Sequence, residues 1–212
     1  MGKKNGKRKR PGFIRPMLCK SVQELPRGYE WIYEVKRGGQ RSIAVKDGRQ
    51  VRLFAENGRR LDFPDIEQAV REMNPDCAIV DGEIIALNGE SEQSDSRQAD
   101  CESQFQLYAW DLLHLEGYDL IDQPLERRKA QLNAATFDSG LLFSPSLNCE
   151  PDELIAEVSS LSLEGVLAKR KDSIYEPGQC TGAWVKVCVR KRHRSPRASA
   201  RQVRRFVGAM IE

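Results

Sequence analysis

Residues Arg41–Ala55 read RSIAVKDGRQVRLFA, and this stretch decides the kind of sheet the chain can form. Two runs in which apolar and polar residues largely alternate, RSIAVK and QVRLFA, flank the pair Asp47-Gly48. Asp-Gly between alternating runs is a strong signal for a tight hairpin turn, because both turn residues must adopt positive φ angles. The stretch therefore predicts two antiparallel strands joined by a short turn.

The same patterns continue along the chain. Further strands are expected at 29–36, 77–87, 104–113, 141–144, 164–169 and 183–189, with the strand at 77–87 broken into two halves by Asp81-Gly82. Three helices are expected to begin at Pro64, Pro124 and Pro151, since proline is favoured at the first position of a helix. The chain is predicted to be an α+β protein with mainly antiparallel sheets flanked by helices, and it has no P-loop or Rossmann glycine pattern.

Composition further limits the class of protein to which the chain can belong. The 212 residues are 40% hydrophobic and 31% charged, and no apolar run reaches the roughly 20 residues that span a bilayer. None of the six cysteines is spaced as CxxC, which argues against a zinc site. With no secretory signal pattern, reduced thiols and a cytoplasmic location without membrane association are expected.

Charge is unevenly distributed although the net charge is only +3. Basic residues concentrate at 3–10 and 186–205. We expect residues 1–15 to form a basic disordered tail, residues 16–189 to form one domain, and residues 190–212 to form a basic C-terminal extension. The extension is either a solvated segment or a grip on the phosphate backbone of nucleic acid, and the sequence leaves both open.

Five charged residues lie at ends or breaks of the expected strands: Lys36, Glu83, Asp111, Glu164 and Lys186. Each alone would be read as an ordinary solvated charge. Together, two amines and several carboxylates meet the needs of nucleotidyl transfer, in which an amine attacks phosphorus, a carboxylate holds a divalent metal, and a cation neutralises phosphate. The aromatic ring beside Asp111 could stack on a base.

The order and spacing of these segments resemble the nucleotidyltransferase domain of ATP-dependent DNA ligases, most closely the ligase domain of bacterial end-joining repair enzymes. The likeness runs from about Pro16 to about Val189, beginning with PMLCKSVQELPRGYEWIYEVK. The segments that carry it are EVKRGGQR with Lys36, Gly39 and Arg41; VDGEIIAL with Glu83; LYAWDLLHLEGYDL with Trp110; LEGVLAKR with Glu164, Gly165 and Lys169; and AWVKVC with Lys186. The fold implied is that of DNA ligases and mRNA capping enzymes, which is ATP-grasp-like.

The resemblance implies a reaction on Lys36. This lysine would attack the α-phosphate of ATP and form lysine–AMP, AMP would pass to the 5′-phosphate of nicked or broken double-stranded DNA, and the 3′-hydroxyl would displace it. A free lysine has a pKa of about 10.4, so a nucleophilic lysine needs that pKa lowered. Positive charge from Lys186, Arg41 or a metal is expected to do this.

The resemblance also implies roles for the other residues. Glu164 would hold Mg²⁺, and Glu83 would contact the ribose or the same metal. Trp110 would stack on adenine, or else be a tryptophan of the core. Lys169 would face phosphate, or else be a solvated cation beside Arg170 and Lys171.

The sequence departs from the family pattern at three positions. Gly38 stands where the family has an aspartate, Glu56 stands where it has an arginine, and Cys188 stands where it has a second lysine. About 23 residues follow Val189, too few for the OB-fold domain that usually comes next, so a partner would have to supply it.

These departures keep three interpretations open. One is a DNA ligase of repair or recombination with impaired activity, and another is a degenerate, non-catalytic module that binds nucleotide or DNA. The third is a related RNA ligase or capping guanylyltransferase, which the PMLCK and WDLLHLEGYDL segments disfavour.

Overall fold

The computed structural model describes residues 9–86, 105–147 and 149–189. Within them the strands are β1 Lys20–Ser21, β2 Trp31–Lys36, β3 Gln40–Asp47, β4 Gln50–Ala55, β5 Arg60–Leu61, β6 Cys77–Ala86, β7 Phe105–Leu115, β8 Tyr118–Asp119, β9 Leu142–Phe143, β10 Gly165–Arg170 and β11 Trp184–Cys188. The helices are α1 Pro64–Arg71, α2 Leu125–Ala135 and α3 Pro151–Ser160.

The strands form two sheets, in the orders β1-β11-β10-β2 and β5-β4-β3-β6-β7-β8, and β9 also pairs with β7. All pairings are antiparallel except the short β1–β11 and β7–β9 pairs. The α+β class with mainly antiparallel sheets is therefore confirmed. Helices α1 and α3 begin at the predicted prolines Pro64 and Pro151, and α2 begins directly after Pro124.

The predicted hairpin forms as β3 and β4, with Asp47 opposite Gln50 and Gly48 at φ +60°. The segment 77–86 differs from the prediction, because it forms one continuous strand, although its pairing with β7 shifts in register between Ile79 and Val80 and between Asp81 and Gly82. A Cβ on Gly82 would lie 2.4 Å from the carbonyl oxygen of Tyr108, so glycine permits the close approach of β7. Gly82 therefore lies at an irregularity in the β6–β7 pairing, and the strand β6 continues past it.

The sheets pack against each other through a shared apolar cluster. Ile32 of β2 and Trp184 of β11 come from the smaller sheet, while Ile43 of β3 and Trp110 of β7 come from the larger one. Separate clusters lie beneath α1 and α2 on the larger sheet and beneath α3 on the smaller sheet. The junction between the sheets is where the candidate site residues gather.

Residues 9–15 differ from the disordered tail predicted for 1–15. The Lys9 amide donates to the Gly117 carbonyl (2.9 Å), and the Phe13 ring lies 5.3 Å from that of Phe54. Pro11 is buried, so apolar contact holds this basic segment to the domain.

Other predictions fall on residues 1–8, 88–103 and 190–212, which lie outside the described residues. Among the described residues, no helix has the length and apolar character required to cross a membrane.

Candidate active site

Lys36 ends β2, and its pairing with β10 brings it beside Glu164. Lys36 is in register with Gly165, and the Lys36 Nζ donates to Glu164 Oε2 at 2.5 Å. Both side chains are partly shielded, with 22% of Lys36 and 26% of Glu164 exposed. The two residues are 128 positions apart in the chain, so only the strand pairing creates this contact.

The charge state of Lys36 differs from the expectation. Burial acts to lower its pKa, but the hydrogen bond to Glu164 and the negative charge of Glu83 outweigh burial, so the pKa lies above its usual value. Neither Arg41 nor Lys186 is among the main groups that set this pKa, and the guanidinium of Arg41 is bound to Asp81. In this state Lys36 is a protonated partner of Glu164, and its amine must lose a proton before it can attack.

Most of the predicted residues surround one cavity of about 460 Å³ at the junction of the sheets. Those that line it are Lys36, Arg41, Glu83, Trp110, Lys169 and Lys186. Glu164 reaches the same place through its contact with Lys36. The cavity therefore collects residues from β2, β3, β6, β7, β10 and β11 into one polar site with aromatic walls.

Arg41 is held in place at the cavity wall. Its Nε and Nη2 donate to the two carboxylate oxygens of Asp81 at 3.1 and 2.7 Å, and Asp81 is completely buried. Asp81 also accepts from the Tyr175 hydroxyl at 2.8 Å. The charge of Arg41 is therefore largely balanced, which leaves less of it for a phosphate.

Lys186 offers a different kind of cation. It is half-buried in the wall of the cavity on β11, opposite Leu167 of β10. Across residues 9–86, 105–147 and 149–189, its ammonium forms no ion pair. Of the predicted phosphate-facing groups, Lys186 is thus the one whose charge no described carboxylate neutralises.

The sequence analysis missed Glu34. This glutamate is fully buried on β2, and its two oxygens accept from Lys129 (2.6 Å) and Lys169 (2.8 Å). Lys129 also donates to the Ser144 carbonyl at 2.8 Å, which ties α2 to the chain beside β9. The sequence signal that could have revealed Glu34 was a charged residue between Tyr33 and Val35, inside the apolar part of β2.

The role expected for Lys169 changes accordingly. Lys169 is 1% exposed, so it is not the solvated cation that its basic neighbours suggested. Its ammonium lies 4.3 Å from the centre of the Trp184 ring and 5.1 Å from that of Trp110. Lys169 therefore joins the Glu34 carboxylate to the aromatic wall of the cavity.

Trp110 is 9% exposed, as a tryptophan of the core would be. It also lines the cavity, which is the position that stacking on adenine would require. Trp184 lines the same space and was not predicted. Asp111, grouped with the site residues from sequence, instead faces the core, where Arg128 binds both of its oxygens at 2.8 Å. The β6–β7 register shifts here, so Trp110 is an extra residue between Ala109 and Asp111, and the two adjacent side chains do not follow the simple alternation of a strand.

The departures from the family pattern lie at the cavity or close to it. Gly38 has φ +77°, and a Cβ there would lie 2.0 Å from the carboxyl carbon of Glu164. Glu56 lines the cavity, so the inverted charge does face the site. Cys188 is exposed and close enough to Lys36 to affect the pKa of its ammonium.

Carboxylates for a divalent metal are present but few. In the described part of the chain, no three His, Cys, Asp or Glu side chains gather as a complete metal site. Mg²⁺ commonly uses one or two carboxylates together with waters and substrate phosphates. Glu164 and Glu83, both close to Lys36, fit that more open arrangement.

Two packed sheets with a lysine at a strand end facing an aromatic cavity are the arrangement that the resemblance to lysine-dependent nucleotidyltransferases predicted. Residues 16–188 match the family model of the ATP-dependent DNA ligase domain, and the chain belongs to that family.

The similar proteins include end-joining enzymes. The chain is 32% identical to the multifunctional non-homologous end joining protein LigD of Pseudomonas aeruginosa, over 99% of this chain and 26% of the relative. The ligase domain of Mycobacterium tuberculosis LigD superposes with a TM-score of 0.72 at 27% identity, covering 82% of this chain and 58% of that one. A mycobacterial DNA ligase D complexed with ATP and MES gives a TM-score of 0.69 at 26% identity, covering 82% and 59%.

The chain thus spans about a quarter of the length of the Pseudomonas relative. The resemblance seen in the sequence and the fold it implied are both confirmed.

Proposed function

We propose that this domain forms a covalent lysine–AMP on Lys36 and passes the AMP to a DNA end. The observation that carries the proposal is the cavity itself, whose wall brings together the Lys36 amine, the Trp110 ring and the Lys186 ammonium, which no carboxylate of the described residues neutralises. Membership of the ATP-dependent DNA ligase family supports ATP as the AMP donor and nicked or broken double-stranded DNA as the acceptor.

The chemistry assigns distinct tasks to this chain's residues. The Lys36 nitrogen forms a bond to the α-phosphorus while the bond to the pyrophosphate oxygen breaks, and pyrophosphate leaves. The Lys36 ammonium must first release a proton to solvent, and this requires it to leave Glu164 Oε2, because that hydrogen bond stabilises the charged form. Lys186 balances phosphate charge, and Trp110 provides a face for the adenine.

Glu164 and Glu83 are proposed to hold Mg²⁺, as their position near Lys36 allows. The metal, when bound, neutralises phosphate charge and polarises phosphorus–oxygen bonds. Arg41 is proposed to order the wall beside the nucleotide through Asp81. Lys169 is proposed to position Trp110.

Transfer to DNA would follow from the same site. The AMP would move from Lys36 to a 5′-phosphate, and the 3′-hydroxyl of the neighbouring strand would displace it to seal the break. An OB-fold domain is proposed to close over ATP during the first step. We propose that this reaction serves DNA repair or recombination in the cytoplasm.

A non-catalytic binding module is the second candidate. Two observations favour it: the pKa of Lys36 is raised, and Glu56 places a negative charge where triphosphate would approach. Each feature opposes one requirement of the first chemical step, since attack needs a neutral amine and ATP needs a cationic lining.

Incubation of the full chain with α-labelled ATP and Mg²⁺ separates the two candidates. We expect a covalent label that is retained in Lys20→Ala, an exposed lysine on β1, and lost in Lys36→Ala. Sealing of a pre-adenylylated nick tests the last step independently of ATP. Absence of the label together with absence of sealing would exclude the enzyme and leave the binding module.

A further inference from the structure

A second, wider groove adjoins the candidate active site. It has a volume of about 640 Å³ and shares the wall residues Leu18, Arg41 and Glu56 with the first cavity. The rest of its lining includes Arg15 and Arg59, neither of which belongs to a motif that carried the family resemblance. The groove is therefore a continuous extension of the site, lined by three arginines and one glutamate.

Arg15 reaches the groove because residues 9–15 are packed on the domain. The Phe13 ring packs on the Phe54 ring. A Cβ on Gly58 would lie 3.4 Å from the Phe13 ring. The stem of Arg15 crosses Gly178, where a Cβ would lie 2.7 Å from the Arg15 Cδ. The absence of a side chain at Gly178 thus leaves the space in which Arg15 lies.

Arg59 is presented by an ordered turn. The Arg59 amide donates to Asn57 Oδ1 at 3.0 Å, and the Arg59 carbonyl accepts from the Ala55 amide at 2.8 Å. These bonds fix the backbone of the turn between β4 and β5, from which Arg59 extends. The turn therefore sets the position of Arg59 relative to the groove.

Both arginines are available to a ligand. They are exposed, and neither forms an ion pair within residues 9–86, 105–147 and 149–189. Arg41 differs, because Asp81 binds its guanidinium on two sides. Guanidinium groups suit phosphate oxygens, which they bind through paired N–H donors.

We propose that Arg15 and Arg59 form a phosphate subsite beside the nucleotide cavity and offset the negative charge of Glu56. The proposal rests on the proposed function for the identity of the neighbouring ligand. The phosphate belongs either to the DNA strand at the break or to the triphosphate tail of ATP, and both offer the same chemistry to the two guanidinium groups.

The test uses the full 212-residue chain and the variants Arg15→Ala, Arg59→Ala and their combination. Arg49→Ala is the matched control, since Arg49 is an exposed arginine of the β3–β4 turn outside the groove. Binding of a nicked duplex with a 5′-phosphate is measured by fluorescence anisotropy over a range of salt. The rate of Lys36 labelling is measured over a range of ATP concentration.

If DNA occupies the subsite, the double variant binds the nick about tenfold more weakly, and the slope of log affinity against log salt falls by about two. If the triphosphate occupies it, DNA binding is unchanged and the ATP concentration for half-maximal labelling rises about tenfold. Glu56→Gln should strengthen whichever interaction is affected, a gain that misfolding cannot imitate.

The subsite is refuted if the double variant matches Arg49→Ala in both measurements. This outcome is distinct from failure of the proposed function. A chain that never labels Lys36 but loses DNA affinity in the double variant keeps the subsite and loses the enzyme. A chain that labels Lys36 normally and binds DNA normally without both arginines keeps the enzyme and loses the subsite.

Discussion

Replacement of Glu34 by glutamine should strongly destabilise the domain, although Glu34 is absent from every predicted site. Its carboxylate is completely buried and accepts charged hydrogen bonds from Lys129 and Lys169 at 2.6 and 2.8 Å. Breaking a buried ion pair from one side costs about 3–5 kcal/mol, because the remaining charge keeps its desolvation penalty. Against a typical unfolding free energy of about 5–15 kcal/mol, the variant loses between about a fifth and all of its stability.

The loss should depend on pH in a defined direction. Burial would raise the pKa of Glu34, but the two lysines outweigh burial and hold the pKa below its usual value. A lowered folded-state pKa adds stability above the unfolded-state pKa of about 4.3, and this stability disappears as pH falls through the folded value. The difference between wild type and Glu34→Gln should therefore be full at pH 7 and shrink below about pH 4.

Urea unfolding at several pH values measures both effects. Glu24→Gln, at an exposed glutamate, is the control and should change stability by less than about 0.5 kcal/mol. Adding Lys129→Met to Glu34→Gln should recover part of the loss, because one unpaired ammonium is removed. A loss below about 1 kcal/mol, or no recovery in the double variant, would refute the role assigned to this cluster.

Three further changes test the site. Glu164→Gln should lower the pKa of Lys36, because it removes the negative charge that the ammonium faces. Acylation of the Lys36 amine against pH measures this, and an unchanged midpoint would contradict the assigned cause. Gly39→Ala should destabilise the fold by about 2 kcal/mol in thermal unfolding, because the new Cβ would lie 2.1 Å from a backbone oxygen of β6. The control is Gly12→Ala, whose Cβ would meet nothing within 4 Å and which should leave stability unchanged. Deletion of 190–212 should weaken DNA binding and flatten its salt dependence, and equal affinity at all salt concentrations would reject that role.

The restoring substitution Gly38→Asp carries a structural condition. Aspartate tolerates a positive φ better than most residues, but its Cβ at this position would meet the carboxyl group of Glu164. Glu164 must therefore turn away from Lys36 in Gly38→Asp, which removes the hydrogen bond that raises the pKa of Lys36. We expect the pair Gly38→Asp and Glu56→Arg to increase Lys36 labelling, and unchanged labelling would contradict this account.

Local sequence was sufficient wherever the deciding interaction is short in range. Asp47-Gly48 predicted the β3–β4 turn, and proline placed the starts of α1 and α3, because a turn or a helix start depends on φ angles within a few residues. The local pattern predicted two half-strands at 77–87, because Gly82 is typical of a break in a strand. In the fold it is a point of close contact with β7.

The sequence by itself determined the family, the order of the strands along the chain, and the lysine that ends β2. Only the tertiary structure decided the charge state of that lysine and which of the nearby cations are neutralised by an ion pair. Glu164 lies 128 residues from Lys36, and Lys169 lies 135 residues from Glu34. Charge interactions depend on distance in space and on burial, and sheet pairing sets both. No local pattern could therefore reveal that Arg41 and Lys169 are neutralised while no carboxylate in the described part of the chain neutralises Lys186.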